Sequence, residues 1–147
     1  AIKFFMLRTD AHRDIVFNPE ESLSFEGETG PYVQYTHARS CSILRKAGKM
    51  KGKVNYALLQ HEKEKNIIAH LLNFGNIVDD AATHYRPHVL CHYLIELSQA
   101  FNEFYHSCPV ISDDKELMKV RLHLVDSVRQ VLENGLNLLG IEAPKEM

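Results

Sequence analysis

Gly30-Pro31-Tyr32-Val33-Gln34-Tyr35-Thr36-His37-Ala38-Arg39 reads as the end of a loop running into the first turns of a helix. Pro31 suits the first helical position, where its fixed φ is already helical and its missing N–H removes no bond. Residues four apart share a helix face, so Tyr35 stands over Arg39, with Tyr32 on the same side. An aromatic ring beside a guanidinium on an exposed face is a surface on which an unpaired base stacks.

From that start the helix extends to about Ala47, with Val33, Ser40, Ile43, Leu44 and Ala47 as its inward stripe and Tyr35 and Arg39 off it. Downstream, Gly48 to Lys53 reads as a loop. A helix is predicted over about 57–72 and a shorter one over 76–83. Pro87 opens a long helix to about His106, with Leu90, Leu94, Leu97, Phe101 and Phe104 on one side. Ser112 or Asp113 caps a last helix carrying Leu117, Val120, Leu124, Val128, Val131 and Leu139, which stops at Gly140. Upstream, residues 1–8 read as the end of a helix. Ile15-Val16-Phe17 and Leu23-Ser24-Phe25 are short β-prone runs around Asn18-Pro19, so an extended, turn-rich crossing with a minor β element is expected. The fold class is all-α: an up-and-down bundle of about five helices behind a short extended N-terminal linker.

A chain of 147 residues, 45% hydrophobic, is long enough to bury one domain core. Cys41, Cys91 and Cys108 are scattered and odd in number, which suits reduced thiols of a cytoplasmic protein better than a disulfide framework. No apolar run reaches membrane-spanning length, so no membrane partner is expected. The chain lacks an initiator Met and opens within an apolar pattern, as a piece of a larger protein would.

Charge is unevenly spread. Residues 1–30 carry a net -3, residues 31–56 carry +6 with no acidic side chain, and the remaining 91 carry -5. The basic stretch holds Arg39, Arg45, Lys46, Lys49, Lys51 and Lys53. It reads either as a phosphate-contacting patch beside the Tyr–Arg face or as a solvated lysine-rich loop.

The sequence assembles no catalytic centre. His84, His88 and His92 are spaced by four, but Pro87 pushes the residue before it out of the helical region and separates His84 from the other two. No metal site is therefore expected, since zinc needs three or four converging ligands. Gly48-Lys49-Met50-Lys51-Gly52-Lys53 is one residue short of a phosphate-binding loop, and Val54 stands where Ser or Thr is required. Glu20-Glu21, Asp79-Asp80 and Asp113-Asp114 are sequence neighbours whose side chains diverge. Tyr105 reads as a boundary tyrosine with its hydroxyl in water, and Met147 as a frayed end.

The opening stretch resembles the start of the helical anticodon-binding domain of arginyl-tRNA synthetases. The likeness continues through Phe17-Asn18-Pro19-Glu20-Glu21, Ser42-Ile43-Leu44-Arg45-Lys46-Ala47, Phe101-Asn102-Glu103-Phe104-Tyr105 and the closing Gly140-Ile141-Glu142-Ala143-Pro144-Lys145-Glu146-Met147. It implies that residues 1–30 are the end of a catalytic core and a linker, and that residues 31–147 are the anticodon-binding domain. It further implies an anticodon site of Tyr35, Arg39, Tyr105 and Met147, with Tyr32 beside them, and tRNA-backbone contacts from Arg45, Lys46, Lys49, Lys51 and Lys53. Thr36 and His37 stand where the family's pattern often has Ala and a variable residue, and no consequence is expected of them. The implied partner is tRNA(Arg), not DNA. The implied parent is a cytoplasmic, monomeric ligase that joins arginine to tRNA with ATP and magnesium held outside this stretch, which needs no cofactor of its own. The rival readings are the equivalent domain of another class I synthetase, such as the cysteine enzyme, and a helical docking module without RNA function.

Overall fold

The computed structural model describes residues 1–48 and 52–147. Among them are six α-helices, α1 (Ile2–Leu7), α2 (Pro19–Leu23), α3 (Gly30–Ala47), α4 (Glu62–Thr83), α5 (Pro87–Ser107) and α6 (Lys115–Leu138), with a 3-10 turn at Tyr56–Leu58. No described residue lies in a strand. No helix is long and apolar enough to cross a membrane.

The all-α expectation holds, and α5 is the axis of the bundle. Leu94, Leu97, Phe101 and Phe104 are wholly buried on it, and α3, α4 and α6 pack around it. From α6 come Val120, Val125, Val128, Leu132 and Leu136, all without solvent exposure. The two helices approach closely at Gly135, where an added Cβ would lie 2.5 Å from Leu94 Cδ2. Because Leu94 is itself enclosed, Gly135→Ala should cost about 1–3 kcal/mol as overpacking. Urea unfolding of this variant checks the spacing, and a cost near zero would show that the interface yields freely.

Local rules account for most helix ends. Thr29 caps α3 by accepting the Tyr32 N–H at 3.1 Å, with Pro31 in the first turn. Gly30 lets the helix start against α1, since a Cβ there would stand 2.8 Å from Phe4 Cβ. Phe4 is wholly buried and belongs to the main core. Asp114, the neighbour of the expected Asp113, caps α6 by accepting from the amides of Glu116 and Leu117.

Two expectations are corrected. The helices expected over 57–72 and 76–83 are one helix of 22 residues, α4, and its start moves to Glu62. Gly75 costs about 1 kcal/mol relative to alanine in a helix. That penalty is outweighed by the stripe Ile67, Leu71, Phe74, Val78 and Ala81, which packs on the core across it. The helix begins where His61 and Glu64 form a reciprocal capping box. The turn between His84 and Pro87 does separate α4 from α5 and places Tyr85 at φ 54°, so His84 and His88 stand on different elements.

The β-prone crossing is likewise not a strand. Asn18 Oδ1 accepts from the amides of Glu20 and Glu21, and Pro19 starts α2 behind it. Asn-Pro acts here as a cap followed by a first helical residue. Phe17 folds back edge-on to Phe5, with centroids 5.1 Å apart, while Val16 remains exposed.

Candidate nucleic-acid interface

Gly140 takes a left-handed φ of 64°, and the Ile141 N–H reaches back to the Leu136 carbonyl at 2.9 Å. Such a helix end reverses the chain. It delivers residues 141–147 onto α3, where donors on one stripe of that helix take up the tail's carbonyl oxygens. Gln34 Nε2 donates to Glu142 O at 2.7 Å, His37 Nδ1 bonds Pro144 O at 2.8 Å, and Arg45 Nη2 donates to Lys145 O at 3.2 Å. Arg45 Nη1 also pairs with Glu146 at 2.6 Å. The tail is thereby fixed beside the helix that opens the bundle.

Between tail and helix lies a cleft of about 400 Å³ lined by Tyr35, Ala38, Arg39, Ser42, Arg45, Lys145, Glu146 and Met147. Tyr35 is 41% exposed and Met147 58%. The Arg39 guanidinium lies over the Tyr105 ring, 4.5 Å from its centroid, and Nη1 donates to Asn102 Oδ1 at 3.3 Å. Asn102 Nδ2 in turn donates to the Tyr32 hydroxyl at 2.9 Å. Phe101 also neighbours Tyr105, with nearly parallel rings whose centroids are 6.4 Å apart. A planar cation held over an aromatic ring is oriented before any ligand arrives. An exposed ring, oriented N–H donors and an apolar thioether around one opening suit a planar heterocycle with acceptors on its edge.

Of the residues singled out from sequence, Tyr35, Arg39, Arg45 and Met147 share the cleft, Tyr105 reaches it through Arg39, and Tyr32 through Asn102. Lys46 and Lys53 are exposed and outside the cleft wall. The Lys53 carbonyl accepts from Lys119 Nζ at 3.3 Å. Lys49 and Lys51 lie outside the described residues.

Asn102, Gln34, His37 and Phe25 escaped the sequence reading. Asn102 sits three residues before Tyr105 on α5, so helical spacing alone places it beside that ring. Phe25 is 55% exposed and stands edge-on to Tyr35 at 6.3 Å. Thr36 and His37, expected to be without consequence, are both wholly buried. Thr36 Oγ1 donates to the Tyr32 carbonyl at 3.0 Å, while His37 holds the tail.

With this geometry in view, the comparisons with known proteins are specific. Residues 33–147 match the DALR anticodon binding domain, and the chain belongs to that family. All of it aligns at 41% identity with an arginine–tRNA ligase of Clostridioides difficile and at 43% with that of Alkaliphilus metalliredigens, covering 26% of each. Among solved structures, arginyl-tRNA synthetase of Thermus thermophilus superposes with a TM-score of 0.94 at 42% identity, over 99% of this chain and 26% of that one. The Plasmodium falciparum enzyme gives 0.84 at 29% identity, with 99% and 26% covered. The chain thus spans about a quarter of the length of these relatives.

Proposed function

We propose that this chain reads the anticodon of arginine tRNAs as part of an enzyme that ligates arginine to them. The observation carrying this reading is the convergence of Tyr35, Arg39 and Met147 on one cleft, with Tyr105 holding the guanidinium. All arginine codons have G in the middle, so arginine tRNAs share a middle anticodon cytosine. Cytosine offers O2 and N3 as acceptors and a face for stacking. Tyr35 supplies the face, Arg39 the donors, and Met147 the closing apolar contact. ATP and magnesium of the ligation belong to the parent outside this chain, which acts as a soluble, cytoplasmic, monomeric enzyme.

The basic residues supply sequence-independent affinity in this reading. Changing Lys49, Lys51 and Lys53 to Gln should weaken binding of all tRNAs by similar factors. The slope of log K against log salt should fall by roughly two to three units if all three touch phosphate. Titration of a labelled anticodon stem-loop at several salt concentrations measures it. An unchanged slope assigns the lysines to solvent, and no salt-dependent RNA binding at all would favour a protein-docking module.

A further inference from the structure

The tail that carries Met147 is tied to α3 by side-chain hydrogen bonds, and the central one comes from a buried side chain. His37 is wholly shielded from solvent, yet its ring spans from α3 to the Pro144 carbonyl at 2.8 Å. A carbonyl only accepts, so Nδ1 carries the proton of the neutral ring. Nε2 then faces Cys41 Sγ at 3.8 Å, where the thiol is the donor. Gln34 and Arg45, on either side of His37 along α3, bond the tail at the surface, where water competes. Of these three hydrogen bonds from α3 to the tail, that of His37 is the least exposed, and it works beside the packing of Ile141 and Ala143 on the core. It lies three residues before Met147 in the tail and two residues before Arg39 in the helix.

We propose that His37 is a positioning residue: its bond to the Pro144 carbonyl registers the tail on α3 and so sets where Met147 stands in the cleft. The link from His37 to the tail stands on the geometry alone, whereas the link from the tail to RNA rests on the anticodon reading above. The register is also sensitive to acid. Protonating Nε2 would place a second N–H against Cys41 and a charge in a buried site. The charged groups facing the ring are Lys145 from the tail and, from α6, Glu133 and Arg129, the last already paired with Asp126 and Glu133. Burial is the largest influence and holds the imidazole below its ordinary value of 6.5, outweighing the Pro144 carbonyl, which on its own favours the charged ring. Because burial outweighs that bond, the His37 ring binds a proton more readily once the tail has left and exposed it, and release is favoured as pH falls below about 6.5.

The test uses the full-length protein and follows tryptic cleavage after Lys145 by mass spectrometry, normalised at each pH to a reference peptide. Wild type should be cut at Lys145 faster as pH falls from 7.5 toward 5, within the range where melting shows the fold intact. His37→Leu should be cut there at least about fivefold faster at pH 7.5, the factor lost with one buried hydrogen bond. His37→Asn, which keeps a donor near Nδ1 but does not titrate, should be protected and show a flat pH profile. In parallel, binding of anticodon stem-loops with cytosine or another base in the middle is measured for His37→Leu and Met147→Ala. Loss of discrimination in both supports the whole proposal. Cleavage that is unchanged in His37→Leu, together with a wild-type profile flat with pH, overturns the role of His37 whatever the RNA does. Faster cleavage with discrimination intact in both variants keeps the clamp, overturns its link to RNA, and removes the anticodon reading of Met147.

Discussion

Arg121→Met should destabilise the protein by about 3–5 kcal/mol, the cost of leaving a buried ion without its partner. Glu64 is only 1% exposed, and its Oε1 accepts from Arg121 Nε at 2.7 Å. Its other oxygen takes the His61 N–H at 2.9 Å, closing the capping box of α4. Arg121 also donates through Nη1 to the Pro109 carbonyl at 2.8 Å, so one guanidinium joins α4, α6 and the turn after α5. Methionine would keep the stem's packing but strand the carboxylate. For a chain of this size the loss should appear as a fall in Tm of roughly 6–20 °C. The double variant Glu64→Gln/Arg121→Met should recover much of it, because no charge is then buried alone. Urea unfolding of the single and double variants decides the matter. If Arg121→Met costs under about 1 kcal/mol, or the double variant is no better, the pair carries little of the stability.

The same pair shows where sequence reading stops. The apolar stripes of α5 and α6 were legible because Leu90, Leu94, Leu97, Phe101 and Phe104, and Val120, Leu124 and Val128, recur at helical spacing. The pattern needs no knowledge of what each stripe meets. Pro31 and Gly140 marked two boundaries for equally local reasons. Glu64, Thr36 and His37 are polar letters that pattern reading sends to the surface, and all three are buried: Glu64 and His37 are satisfied by a partner on another element, and Thr36 by the Tyr32 carbonyl one turn back in its own helix. The sequence separation of 107 between His37 and Pro144 puts that partnership beyond any local rule. The continuity of α4 through Gly75 was hidden for the opposite reason. A local penalty was visible, but the packing that outweighs it was not. For the candidate site, helical spacing already paired Tyr35 with Arg39, and the resemblance joined Tyr105 and Met147 to them. The structure adds Asn102, which ties Arg39 to Tyr32, and the laced tail that brings Met147 to the helix.

Tyr35→Ala should be the most informative change to the proposed anticodon site. The ring is 41% exposed and touches Phe25 edge-on, so its removal leaves no large core cavity. Losing one base–aromatic stack costs about 1–3 kcal/mol, roughly five- to 150-fold in an equilibrium at 1.4 kcal/mol per tenfold. In the full-length enzyme, kcat/KM for tRNA charging should fall by about that factor, with KM for arginine and ATP unchanged. Tyr105→Ala should act similarly but with a stability cost, since the ring neighbours buried Phe101 and carries the Arg39 guanidinium. Tyr105→Phe keeps the ring and should keep most of the activity. Both alanine variants should discriminate less between cytosine and other bases at the middle anticodon position, because stacking presents the base edge to Arg39. Melting curves taken beside the kinetics separate the two roles of an aromatic. If Tyr35→Ala melts as the wild type and charges arginine tRNA equally well, the base does not stack there. If it melts early and charges every tRNA equally poorly, Tyr35 supports the fold and the base is read elsewhere.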